Sequence, residues 1–497
     1  MSQSLLFIPL HLLGIALCFA CGPRRRPALC CALGFPVGLA AAVVLALAMM
    51  MVRIRHDRWT LGAAMAIAGL AAAFGAARRG MGRRDLAIAG AWTAAFAAMC
   101  AAISPFNVAI LTSIDSHRIL SLAIAIANDG GLEPATMARL GHWGVFQVVA
   151  HSMMGLTRQD FLYSLPLALG LSFIPVFAVL LWHALESLGA APRRRWLLVG
   201  LVTAALFTIG ALDYHILYIH TNLGAGVYLF LFLVMFWIAE VERDASWLPV
   251  AFLALVAFAL HRTETPIVAV LVLSLTVTRS ELPRRPIGFA LAGSSAGMIL
   301  WLEVLAAHLS PEGDFLTPGR CHLMAGLLAG FFLWWAASAR SEIIRCIDRR
   351  MPLLISATCA LALAGELASR PDHMIASARS WAFNLTTLPL WGQTWFIILA
   401  LVVIGLAVAP PPFRAPFAVG LPACFAVVLF LVYFRAPYRE GRGDSANRMT
   451  IQMLPLIVFY LAIKFIPALD CRTRDSQRRS ATAAEIGSPV RTSIQRN

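Results

Sequence analysis

The stretch HWGVFQVVAHSMMGL, residues 142–156, decides how this chain threads a membrane. It is apolar enough to be taken for a crossing, yet it falls short of the roughly 20 residues a helix needs to traverse the hydrocarbon layer. The flanking charges settle the reading. If the stretch does not cross, then Arg24–Arg26, Arg78, Arg79, Arg83, Arg84, Arg193–Arg195, Arg284, Arg285, Arg340, Arg345, Arg349, Arg350 and the basic tail after Cys471 fall on one face. An excess of arginine makes that face cytoplasmic. If it does cross, the Arg193 cluster moves to the opposite face and the segments after it invert. Residues 142–156 are therefore expected to form an interfacial helix.

Working outward, apolar runs of crossing length recur along all 497 residues, of which 60% are hydrophobic and 13% charged. The expected fold is an all-α, polytopic transmembrane helix bundle. Crossings are expected near 4–21, 28–52, 59–77, 86–104, 161–185, 196–212, 222–239, 287–307, 322–338, 351–368, 394–410, 415–434 and 449–467. Two shorter runs, 247–260 and 266–278, flank HRTETP and read either as two short helices or as one broken helix, since Pro266 interrupts the ladder. That makes fifteen spans, with the amino terminus outside and the carboxyl terminus inside. Residues 1–85 form three additional helices ahead of a core at 86–467, which carries a large outer loop at 105–160. Residues 468–497 form a basic, disordered cytoplasmic tail.

A net charge of +15 in a soluble protein would suggest nucleic acid, but here the arginines cluster between apolar runs, where they set topology. No nucleic-acid partner is expected; the partner is the bilayer. Cys18, Cys21, Cys30 and Cys31 approach zinc-ligand spacing, yet no histidine cluster joins them and most of the 10 cysteines lie in apolar runs, so they read as small hydrophobes.

Candidate chemistry lies in the outer loops, which are long and carry acids, histidines and aromatics. In SIDSHRIL, 113–120, Asp115, His117 and Arg118 crowd together just after a span. Asp115 either caps the helix beginning near Ser116 or faces a substrate at the membrane surface. The following ILSLAIAIANDGGL, stopped by Gly130 and Gly131, reads as an amphipathic helix that with 142–156 lies along the membrane and roofs a cavity. Asp213, in GALDYHILYIHTN, is a second acid at the outer end of a span, with His215 beside it and Tyr214, Tyr218 and His220 as an aromatic belt. In ALHRTETP, His261, Arg262 and Glu264 interrupt an apolar hairpin. Either Arg262 and Glu264 pair internally, or Arg262 or His261 holds an anionic head group. The last outer loop carries Arg435, Arg439, Arg442, Asp444 and Arg448, the last of these opening the final span.

Taken together, an acid after a span, NDGG after an amphipathic helix, a second acid two spans later, and DSANRMTIQMLP at 444–455 resemble the GT-C superfamily of integral-membrane glycosyltransferases. The resemblance covers roughly 86–467. It implies a polyprenyl-phosphate-linked sugar donor, a glycan, lipid or protein acceptor, and an active site on the extracytoplasmic face of a bacterial cell membrane. By resemblance Asp115 is the catalytic acid, Asp213 the acid of the next outer loop, and Arg448 the group that holds the lipid phosphate. Ser116 and His117 stand where relatives often have an acidic or aromatic neighbour. A divalent metal, if one takes part, falls to Asp115 and Asp213. Chemically, Asp115 serves as the base that activates the acceptor hydroxyl, and Arg448 with Arg262 or Arg118 neutralises the departing phosphate. The rival expectations are a transporter or flippase for a lipid-linked or anionic substrate, and a non-catalytic subunit of an envelope assembly.

Overall fold

A computed structural model describes residues 7–22, 26–104, 114–156, 164–311, 316–387, 390–408 and 449–465. Among them the chain is helical, with no β-strand. The amino-terminal group comprises α1 (Phe7–Cys21), α2 (Pro27–Ala32), α3 (Gly34–Met51), α4 (Arg58–Arg78) and α5 (Arg83–Ile103). Three short helices follow, α6 (Ile114–Asp129), α7 (Pro134–Trp143) and α8 (Val145–Gly155). The centre is built by α9 (Leu165–Ser187), α10 (Pro192–Phe207), α11 (Gly210–Ile216), α12 (Thr221–Glu242), α13 (Leu248–Ala259) and α14 (Thr265–Thr276). The remainder is α15 (Arg284–Ala306), α16 (Pro318–Ser338), α17 (Glu342–Ser369), α18 (Pro371–Thr387), α19 (Thr394–Val408) and α20 (Thr450–Phe465).

Among the described residues eight helices are long and apolar enough to cross a membrane: α3, α4, α5, α9, α12, α15, α16 and α17. A ninth arises if α10 and α11 are taken together, although they meet at 71°. The protein is thus a multi-helix membrane protein, as composition requires. The expected fifteen spans also include shorter and bent apolar runs, and one run outside the described residues. The run 28–52 breaks at Leu33 into α2 and α3, and the run 196–212 breaks after Phe207. Helices α13 and α14 have only 12 residues each, and α1 and α19 only 15. The stretch 369–393, between the expected crossings 351–368 and 394–410, carries α18. The expected span 415–434 and the tail lie outside the described residues.

Helix α12 is the mast of the bundle, with every residue from Thr221 to Ala239 buried. An all-apolar helix with no polar face can sit only inside a core or in lipid. Here α9, α13 and α20 enclose it through a ladder of aromatic edges, Phe173 on Phe230 at 5.3 Å and Phe230 on Phe459 at 5.4 Å. Helix α3 joins the same core, where Tyr228 donates its hydroxyl to the Pro36 carbonyl at 2.8 Å. Small residues let α1 and α3 touch backbone to backbone. A Cβ on Gly14 would lie 1.8 Å from the Gly34 carbonyl oxygen, and one on Gly38 would lie 1.7 Å from that of Leu10. By contrast α4, α5 and α17 expose most of their length.

Charges knit one end of the bundle. Glu186 and Glu242, at the last turns of α9 and α12, both take Arg26 from ahead of α2. Arg195 reaches Glu186 at 2.8 Å, and His183 approaches Glu242 at 2.8 Å. Trp247 and Ser187 each donate to Glu242 at 3.3 Å. Arg79 donates to the carbonyls of Ala20 and Gly22 at 2.8 and 2.9 Å, closing the ends of α4 and α1 together. Arg26, Arg79 and Arg195 therefore mark a common end of the molecule, here termed the Arg26 end.

Candidate functional site

At the opposite end the polar residues gather around the start of α12. Asp115 lies in the first turn of α6, and the next residue fixes its position: the buried Ser116 hydroxyl donates to the Ile219 carbonyl at 3.0 Å. The segment 217–220 connects α11 to α12, and His220 leaves it in an extended conformation just before α12 begins. Its ring stacks on Tyr218 with centroids 5.4 Å apart, and His215 meets the two at 6.0 and 6.3 Å. His220 Nε2 stands 3.7 Å from Asp115 Oδ2. That is too far for a direct hydrogen bond but close enough for attraction once the ring is charged. The carboxylate is 21% exposed against 6% for the imidazole, so the acid faces outward from a buried backing.

One turn further in, Asn222 is fully buried, and its Oδ1 accepts from Arg262 Nη1 at 3.0 Å and from Gln452 Nε2 at 3.2 Å. Arg262 Nε also meets Glu264 at 2.5 Å, and Thr263 donates to the other Glu264 oxygen at 3.0 Å. The simpler of the two readings of ALHRTETP is the one observed, an internal Arg262–Glu264 pair. Its guanidinium is committed on two sides, and it joins α12, the α13–α14 turn and α20. The value of such a pair is conformational: it fixes a geometry more than it adds stability.

His261 turns the other way. It is fully buried, stacked on Phe146 at 4.1 Å, with Nδ1 donating to the Ala257 carbonyl at 2.6 Å. The same contact explains residues 142–156. Gly144 adopts φ +75°, and a Cβ there would lie 2.0 Å from the His261 carbonyl oxygen, so only glycine fits. This residue breaks the stretch into the end of α7 and the start of α8, and the Phe146 amide donates to the Leu260 carbonyl at 2.9 Å. The expectation of a single interfacial helix is corrected: α8 is an 11-residue helix buried from Val145 to Met154 against α3 and α6. Its apolar side chains are buried against the protein.

The other expected site residues are dispersed. His117 and Arg118 are exposed on α6, rotated away from the face that buries Ser116. Asp213 is exposed in the first turn of α11, whereas His215 on the same short helix is buried. The structure thus joins Asp115 to His220, Tyr218 and His215, joins Arg262 to Asn222, Glu264 and Gln452, and leaves Asp213 exposed beside the cluster. Arg448 and Asp444 lie outside the described residues. Asn222 and Gln452 escaped the sequence reading. Their signal is an uncharged amide within an otherwise apolar helix, which must find a partner once buried.

Among the described residues no three His, Cys, Asp or Glu side chains converge. Asp115 and His220 offer two donors where a protein metal centre takes three or more, so no metal step is derived from them. No family model, no curated protein and no solved structure matches the chain.

Proposed function

We propose that the protein is an integral-membrane glycosyltransferase that moves a sugar from a polyprenyl phosphate to a hydroxyl acceptor, with Asp115 as general base. The observation that carries the reading is the half-open Asp115 carboxylate, held by the Ser116 anchor and backed by the buried His220 ring. An aspartate in contact with water is ionised at neutral pH and can accept a proton as the acceptor oxygen becomes nucleophilic. The acceptor O–H proton passes to Asp115, the oxygen bonds to the anomeric carbon on the face opposite the phosphate, and the carbon–phosphate-oxygen bond breaks with inversion. Because Arg262 is held by Glu264 and Asn222, it shapes the floor of the site. The leaving phosphate falls to Arg448, by resemblance, and to Arg118.

The positive-inside rule assigns the Arg26 end to the cytoplasm and the Asp115 end to the extracytoplasmic side. A lipid-linked donor suits that placement, its tail in the bilayer and its sugar in water. The test is mass-spectrometric detection of free polyprenyl phosphate released from a panel of polyprenyl-phosphate sugars by the protein in lipid discs, with envelope extract as acceptor. Wild type is expected to release it, and Asp115→Asn to lower the rate by about a hundredfold or more. Near-normal turnover by the variant removes Asp115 from the chemistry. Movement of an intact donor across the bilayer without release assigns the chain to transport.

A further inference from the structure

A cavity lined by none of the Asp115 cluster lies among the amino-terminal helices. It is an open groove of about 1000 Å³ between α1, α4 and α5, closed at one end by Met153 and Met154 of α8. Helix α4 forms its floor from Arg58 to Ala77, which at 1.5 Å per residue spans about 30 Å, the depth of the hydrocarbon layer. On its groove side α4 sets Gly62, Ala66, Gly69 and Ala73 among Leu61, Met65 and Leu70, so the surface recedes at the small positions. At roughly 30 Å³ per water-sized group, the volume holds on the order of thirty carbons, the tails of one diacyl lipid.

A lipid-facing groove is filled by some hydrocarbon in any bilayer; the rim determines which molecule stays. Among the described residues Arg58 is the one charged residue lining the groove, at its Met153 end. It follows Arg53 and Arg55 on the exposed connection from α3, so residues 53–58 carry three arginines against one acid. That acid, Asp57, is occupied as the helix cap, accepting from the amides of Trp59 and Thr60 at 2.8 and 2.9 Å. The amides of the α4 start are therefore taken, and a head group at the rim meets guanidinium groups. Asp129 and Glu133, exposed at the end of α6 and beyond it, are the nearest acids in sequence to Gly130, against which the Arg55 stem packs.

We infer that this groove holds one diacyl lipid by its tails, selected by an anionic phosphate head group at the Arg53–Arg58 rim. The site is separate from Asp115, and its occupancy does not depend on what reaction the protein performs.

The test is native mass spectrometry of the full chain after equilibration with phosphatidylglycerol or with phosphatidylcholine of the same tails. One phosphatidylglycerol per chain is expected to survive delipidation at least tenfold better than phosphatidylcholine. Gly62→Leu fills the groove without a clash, since no atom lies within 4 Å of a Cβ there. Arg58→Glu reverses the rim charge at an exposed position. Each is expected to lower retention at least tenfold, while Ile67→Ala, on the outward side of α4, leaves it unchanged. Equal retention of the two lipids, or retention indifferent to both groove variants, overturns the inference. So does release of a bound polypeptide that Gly62→Leu abolishes, which assigns the groove to a partner helix.

Discussion

The two ends of the bundle carry similar residues and use them differently. At the Arg26 end, two glutamates are shared among Arg26, Arg195 and His183, with Trp247 and Ser187 adding hydrogen bonds to Glu242. Partners 160 and 216 residues apart in sequence are tied together, so the charges serve cohesion. At the other end, Arg262 and Glu264 satisfy each other in the interior, while Asp115 is 21% exposed and stands 3.7 Å from His220. An acid partly open to water remains able to exchange a proton. An acid bonded on all sides does not.

That contrast can be broken by neutralising one acid at each end. Glu242→Gln removes the charge that holds Arg26 and His183 in a partly buried setting and is expected to cost on the order of 3 kcal/mol. Asp115→Asn, at a partly exposed helix start, is expected to cost under about 0.5 kcal/mol. Equilibrium unfolding of the two variants in mixed micelles measures the gap, and equal losses abolish the distinction.

Acid offers a second means of separating the ends. His56, between α3 and α4, is fully buried with its Nε2 3.1 Å from the Ser152 hydroxyl, and burial holds its pKa down at about 4. The unfolded ring takes its proton near 6.5, before the folded one does. Stability from this group is therefore complete above pH 6.5, is lost as pH falls, and levels off below about 4. The loss between pH 6.5 and 5 is about 2 kcal/mol. His56→Asn is expected to flatten that part of the stability curve, and an unchanged slope shows that another group titrates. The smallest expected effect is Ser187→Ala. It removes one of several bonds to Glu242 and costs about 0.5 kcal/mol in the same unfolding assay, so a loss as large as that of Glu242→Gln would locate the network's strength in the wrong place.

Hydropathy located most of the helices well, because a crossing is a matter of length and composition. The expected run 59–77 became Arg58–Arg78, and 222–239 became Thr221–Glu242. What it could not read was backbone geometry within an apolar run. The breaks at Leu33 and Thr208, and the buried α8, depend on contacts with helices distant in sequence. Amphipathic α18 was invisible for the opposite reason, its composition being too polar to register; Trp381 on it donates to Thr450 at 3.4 Å. In the candidate site, Asp115 and Arg262 stood out because charges in an oily chain are conspicuous. Asn222 and Gln452 did not, since an amide reveals its role only through the partner it finds. His261 was conspicuous for its charge capacity, and the structure uses it as a flat surface for Phe146.

The glycine contact between α1 and α3 also bears on the order of assembly. Everything this hairpin needs, Gly14 against Gly34 and Leu10 against Gly38, is present once Met51 has been synthesised. Tyr228, whose hydroxyl ends on Pro36, is made 192 residues after that proline. The first hairpin can therefore close while the rest of the chain is still on the ribosome, in keeping with amino-terminal units folding first. The mast helix α12 then arrives at a surface already built, and an error in the first fifty residues is inherited by every helix that docks afterwards.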